Sequence, residues 1–192
     1  LVIKLDRQPK RWQRIQRELA RFRTTDGSPL TSIVKRMSAI DARDGRAVAA
    51  TADVDPVYRI GNQLHVQPDV RLSACFDVDE PVRMTRQEIA VARSHIEAWK
   101  SVVAGDHQFV LILEDDVWFR PGAAMTITRG WQAAIRRRAG EGRHLLYLSY
   151  NDAGGTADRA EACGDLFEPA RGLWYLSGYV LSRHGAQSLL SA

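Results

Sequence analysis

Five apolar residues, Phe109-Val110-Leu111-Ile112-Leu113, run directly into three acids, Glu114-Asp115-Asp116, before Val117. Clustered carboxylates repel one another and are costly beside an apolar core unless water reaches them or a hard cation draws them together. A Mg²⁺ or Mn²⁺ held by one or two carboxylates, its other positions left to phosphate oxygens, is the usual arrangement for nucleotide chemistry. Alternate residues of an extended chain share a face, so Glu114 and Asp116 are the expected metal ligands, Asp116 first. Asp115 is then expected to point elsewhere, to a sugar hydroxyl or a backbone amide. The competing explanation is a strand end whose acids are merely solvated.

The elements that must position these acids are legible around them. A β-branched apolar run reads as a strand buried on both faces, and the C-terminal ends of such strands are where open α/β sheets place ligands. Residues 1–5 read as a first strand, with Pro9 opening a helix to about Phe22. Trp12, Ile15, Leu19 and Phe22 share one face of that helix, and Arg11, Arg14, Arg17 and Arg21 lie toward the others. Residues 32–40 read as a second strand, ending at Asp41 with Gly45 soon after, which makes a parallel βαβ unit. The stretch 46–84 carries Pro56, Gly61, Pro68 and Pro81 without periodicity and reads as loops and short elements.

Thr85-Arg86-Gln87-Glu88 is a capping-box signature, and the helix it opens has an apolar stripe of Ile89, Ala92, Ile96, Trp99 and Val103 and stops at Gly105. The cap accounts for Glu88. Beyond the acidic strand come a helix over about 121–139, a strand at 144–148, a polar loop at 151–155, a strand over 173–182 and a helix from about His184. Strands alternating with helices define an α/β protein.

At 192 residues and 45% hydrophobic content the chain fits a single domain spanning 1–192 with a sizeable core. Its 27 basic and 23 acidic residues give a formal charge of +4. That mild, dispersed balance suits a phosphorylated ligand or an anionic membrane surface and does not suggest a nucleic-acid binder. Cys75 and Cys163 have no metal-ligand spacing, so neither a disulfide framework nor a zinc site is indicated. No apolar stretch is long enough to span a bilayer and no signal peptide precedes the first strand, which makes a cytoplasmic location the expectation. The start at Leu1 and the stop at Ala192 inside a helical pattern read as trimmed ends.

Haloacid-dehalogenase-type phosphatases and response-regulator receivers also place acids at strand ends, but near the first strand, and neither order fits. The set that fits comprises Ile3-Lys4-Leu5-Asp6-Arg7 with Arg11, Ala39-Ile40-Asp41 with Gly45, Glu88-Ile89 with Ser94-His95 and Trp99, the acidic strand through Val117, and Gly178-Tyr179-Val180-Leu181-Ser182 with Gly185-Ala186. In this order and spacing the chain resembles glycosyltransferase family 25, whose members elongate bacterial lipooligosaccharide and whose relatives include collagen galactosyltransferases. It departs from the family pattern at Ala90-Val91, where Gly-Cys usually precedes the Ser-His pair.

The resemblance implies a GT-A-like (Rossmann-like) nucleotide-sugar fold with a mainly parallel central sheet flanked by helices. It implies transfer of galactose or glucose from a UDP-hexose, dependent on Mn²⁺ or Mg²⁺, to a lipid-linked glycan acceptor. The enzyme would work at the inner face of the inner membrane, touching its anionic surface. Asp6, Arg7 and Arg11 would lie near uracil, ribose or pyrophosphate, with Arg7 able to make a charge-assisted phosphate contact. For these three the alternative is an exposed Arg-Asp pair. Asp41 is a candidate for ribose hydroxyls or else a turn residue. Ser94 and His95 are candidates for donor-sugar or phosphate contact or else structural, and Gly178 and Tyr179 either shape the sugar pocket or pack. An inverting transfer needs a carboxylate base, for which Asp152 is best placed, followed by Asp158, Asp165 and Glu168. Two other readings stand beside this one, a degenerate nucleotide- or glycan-binding domain without turnover and a metal-dependent phosphohydrolase or nucleotidyltransferase.

Overall fold

The computed structural model describes residues 1–45, 53–59, 61, 75, 77–137, 145–149, 151–152, 158–163, 166–171, 173–174 and 176–191. For 133–137 and the strand residues between 151 and 174 only the backbone path is described.

The chain begins with β1 (Val2–Lys4), crosses over through α1 (Pro9–Leu19) and returns as β2 (Arg36–Ser38), paired parallel to β1. Pro9 sits in the first turn of α1, where its missing N–H costs nothing. The second strand is shorter than the pattern suggested, because Leu30–Ile33 wind into a 3₁₀ turn. In the 46–84 region the described residues include β3 (Val57–Arg59) and β4 (Pro81–Arg83), an antiparallel pair.

Helix α2 (Arg86–Ala104) opens with the expected capping box. Thr85 Oγ1 accepts from the Glu88 N–H, and the Glu88 carboxylate accepts from the Thr85 N–H at 2.6 Å. Its buried row is Ala90, Ser94, Ala98 and Val102 with His95, not the stripe of larger apolar residues, which lie partly buried on the shoulders. Small side chains at the centre of the row let the helix approach the sheet closely.

The acidic strand is β5 (Phe109–Glu114), followed by α3 (Ala123–Arg137) and β6 (Leu145–Tyr147). Asn151–Asp152 form β7, not a loop, and pair antiparallel with β10 (Leu173–Trp174). Between them, β8 (Asp158–Cys163) and β9 (Leu166–Arg171) pair as a separate antiparallel ribbon. The run 173–182 is therefore two strands, β10 and β11 (Gly178–Ser182), and α4 (Arg183–Ser191) follows.

The main sheet has the order β2-β1-β5-β11-β6. It is mixed rather than mainly parallel in its pairings. β1 runs parallel to β2 and β5, while β11 runs antiparallel to both β5 and β6. Because β6 opposes β11, only β11 runs against the other strands of this sheet.

Both sheet faces are covered, as the apolar run of β5 requires. On one face Ile3, Ile112, Tyr179 and Leu181 pack with Ala98 and Val102 of α2 and Ala186 of α4. On the other, Val2 and Leu113 pack with Ile15 and Leu19 of α1, flanked by Trp12. Full burial of each large aliphatic side chain contributes about 1.5–3 kcal/mol. Gly178 lies against Leu113, whose Cδ2 would be 3.2 Å from an added Cβ, so a larger residue there would press on β5 just before the acids.

Candidate functional site

The C-terminal ends of β1, β2 and β5 open into one cleft of about 240 Å³. Its walls include Leu5, Arg7 and Arg11 after β1, Ala39 to Ala42 after β2, and Glu114 to Asp116 after β5. Gln87, Ala90, Val91, Ser94 and His95 of α2 close the far side. β1 has β2 on one flank and β5 on the other, so the loops leaving these strands diverge and leave a crevice, the ordinary place for a ligand in this class of sheet.

The three acids are divided differently from the expected alternation, because the strand ends at Glu114 and the chain turns. Asp115 and Asp116 converge on one cation, with Arg11 Nη1 3.3 Å from Asp115 Oδ1 and 3.2 Å from Asp116 Oδ2. Arg14 adds a hydrogen bond to the Asp116 carbonyl at 2.9 Å. Asp115 is buried, its second carboxylate oxygen has no hydrogen-bond partner among the described residues, and Asp116 is exposed. Desolvation raises the carboxyl pKa of Asp115 above its ordinary value, and the Arg11 guanidinium opposes that shift. Glu114 instead faces α2, with Oε1 3.4 Å from His95 Nε2.

His95 is buried, and its Nδ1 lies 2.9 Å from the Tyr179 hydroxyl, which also receives the Trp99 indole N–H at 2.9 Å. Tyr179 is wholly buried, and desolvation pushes its phenol pKa up. Gly178 and Tyr179 therefore belong to the core and do not line the cleft. Ser94 is structural as well as cleft-lining. Its Oγ accepts from the Ile40 N–H at 2.9 Å and donates to the Ala90 carbonyl at 2.7 Å, pinning the end of β2 to α2.

Arg7 and Asp41 pair across the lip, Nε to Oδ2, at 2.6 Å. The Arg43 N–H and Arg7 hold the half-buried Asp41 carboxyl below its ordinary range. Asp6 does not reach the cleft. It is bound by Ser38 and Arg36, which lower its pKa, and it projects into solvent. Asp152 lies in β7, with its side chain outside the described residues, as are those of Asp158 and Glu168; Asp165 lies outside them altogether.

Gln87 as a wall residue and Trp99 as a polar partner have no local sequence signal. The departure at Ala90-Val91 falls on the cleft wall.

A divalent cation is a chemical fit to the Asp115–Asp116 pair, since both are hard oxygen donors and one buried oxygen has no partner among the described residues. Among the described residues no group of three or more His, Cys, Asp and Glu is gathered as a closed metal cage would require. Two carboxylates with phosphate oxygens completing the shell is the arrangement Mg²⁺ commonly accepts. Among the described residues no helix is long and apolar enough to cross a membrane.

No curated protein matches the chain. The sequence model of glycosyltransferase family 25, described as LPS biosynthesis protein, matches residues 1–133. The β1, β2, α2 and β5 motifs of the cleft all fall inside that span, whereas β11 and α4 lie beyond it. A match over about two thirds of the chain means that the protein belongs to glycosyltransferase family 25.

Proposed function

We propose that this family member transfers a hexose, galactose or glucose, from a UDP-sugar to a lipid-linked bacterial surface glycan, with inversion and with Mn²⁺ or Mg²⁺. The observation that carries this reading is the convergence of Asp115 and Asp116 on a single positive charge beside the strand ends. It favours Asp115 over Glu114 as the partner of Asp116 in holding the cation. When bound, that cation supplies positive charge to the departing diphosphate, stabilising the charge that builds as the glycosidic bond breaks.

The remaining roles fall to the chain's own side chains. Arg7 and Arg11 line the cleft and can donate charge-assisted hydrogen bonds to phosphate oxygens. Asp41, held ionised, accepts from ribose hydroxyls. Glu114 accepts from a hydroxyl of the donor sugar. Asp152 is retained as the base that takes the proton of the acceptor hydroxyl.

Contact with an anionic membrane surface is supported by the exposed Lys10, Arg14 and Arg17 on α1, with Trp118, 66% exposed, just beyond the acids.

The test is a thermal-shift panel of UDP-Gal, UDP-Glc, UDP-GlcNAc and GDP-Man, each with and without Mn²⁺, followed by UDP release on wild type and Asp116→Ala. We expect stabilisation only where a uridine donor and metal are both present, and loss of UDP release in the variant. Indifference to every donor would overturn the reading, and release of inorganic phosphate instead of UDP would point to a phosphohydrolase.

A further inference from the structure

Beneath the cleft a hydrogen-bond chain connects the core to one carboxylate of the site. Trp99 Nε1 lies 2.9 Å from the Tyr179 hydroxyl, that hydroxyl 2.9 Å from His95 Nδ1, and His95 Nε2 3.4 Å from Glu114 Oε1. His95 and Tyr179 are buried, Trp99 is partly buried, and Glu114 lines the cleft with its side chain 29% exposed.

The donors and acceptors in this chain can be assigned by counting hydrogens. An indole N–H can only donate, so the Tyr179 oxygen accepts from Trp99. The phenol has a single hydrogen, and the acceptor within reach of it is His95 Nδ1. Nδ1 must then be bare, which puts the ring hydrogen on Nε2, the nitrogen facing Glu114. The reverse tautomer would leave the buried phenol hydrogen without an acceptor and aim a lone pair at a carboxylate. Each alternative costs free energy, because His95 and Tyr179 are buried.

We propose that Trp99, Tyr179 and His95 are positioning residues that fix the Glu114 carboxylate in the cleft through a directed chain, Trp99 to Tyr179 to His95 Nδ1, then Nε2–H to Glu114. This deepens the reading above and rests on it for the role of Glu114 toward the donor sugar; the hydrogen-bond assignment itself does not. Three elements, α2, β5 and β11, are joined by the chain, so Glu114 holds its orientation without a contribution from ligand. A carboxylate held by one oxygen presents its other oxygen to an incoming hydroxyl at little cost in rotamer entropy. Glu114 is thereby separated in role from Asp115 and Asp116, which share Arg11.

Ring ¹⁵N correlation spectra of His95 in the full chain, read without donor or metal, test the assignment directly. We expect a bare Nδ1 and a protonated Nε2. A proton on Nδ1, whether from the other tautomer or from an imidazolium, overturns the proposal. Tyr179→Phe removes the hydroxyl and keeps the ring, and leaves His95 Nδ1 without its donor and the imidazole held from the Glu114 side alone. With a turning-over donor it should lower kcat about tenfold and leave the donor KM nearly unchanged. In a Glu114→Ala background the same substitution should cost no further activity, because nothing remains to be positioned. An equal loss in both backgrounds would mean that Tyr179 is only structural and would overturn the proposal. If Tyr179→Phe does not fold, Trp99→Phe tests the same chain one bond further back. Wild type inactive toward every donor but with Nδ1 bare would sink the glycosyl-transfer reading and leave the hydrogen-bond assignment standing.

Discussion

Asp115 combines burial, an ion pair with Arg11 and, among the described residues, one carboxylate oxygen without a hydrogen-bond partner, and burial raises its pKa above the ordinary carboxylate value. A group whose folded pKa is raised contributes stability that is full below its unfolded pKa and is lost as pH rises through the folded one. At neutral pH the ionised Asp115 is therefore a cost to the fold. Asp115→Asn should raise Tm at pH 7 and give no gain near pH 3. It should also remove any metal-dependent thermal shift. Calorimetry at the two pH values, with and without Mn²⁺ and UDP, checks both halves. That the acids mark a site was legible in the sequence, because three charges abut an apolar run. Which two converge was not, since alternation governs side-chain direction only as far as the strand, and β5 ends at Glu114. The partnership of His95 with Tyr179, 84 positions apart, has no local signature.

Helix α2 carries the far wall of the cleft, and its placement depends on two small polar contacts. Thr85→Ala removes the cap and should cost about 1 kcal/mol of stability in urea unfolding, with little change in donor affinity. Ser94→Ala should cost about 1–3 kcal/mol, because it leaves the Ile40 N–H without its acceptor. Asp41 is the next residue, so this second variant should also weaken donor binding, measurable as a rise in KM beside the loss of stability. The start of α2 was legible because a capping box is a local, four-residue device. Its buried row was not, because a reading by hydrophobicity favours Ile89, Ile96 and Trp99, while close packing on the sheet selects Ala90, Ser94 and Ala98. The same preference for apolar residues extended the second strand over Ile33 and Val34, which lie in and just after a 3₁₀ turn.

Across the whole molecule, the family match and the sheet do not share a boundary. Residues 1–133 contain β1, β2 and β5, but the partner on the other flank of β5 is β11, which pairs along its full length and supplies Tyr179 and Leu181 to the core. A fragment 1–133 should therefore fail to fold cooperatively, while 1–192 shows a single transition by circular dichroism. Layer order and fold class were legible from the alternation of strands and helices. The reversed direction of β11 was not, since a buried strand reads the same in either direction and only its neighbours define its sense. This topology also has a consequence in time. Translation delivers β11 long after β5, roughly several seconds at ordinary elongation rates. During that interval Phe109–Leu113 is an apolar strand with one unpaired edge, the kind of surface on which nascent chains associate. Pausing synthesis between residues 114 and 178 should therefore lower soluble yield more than pausing within α4, and pulse-labelled nascent chains should gain protease resistance only once β11 has left the ribosome.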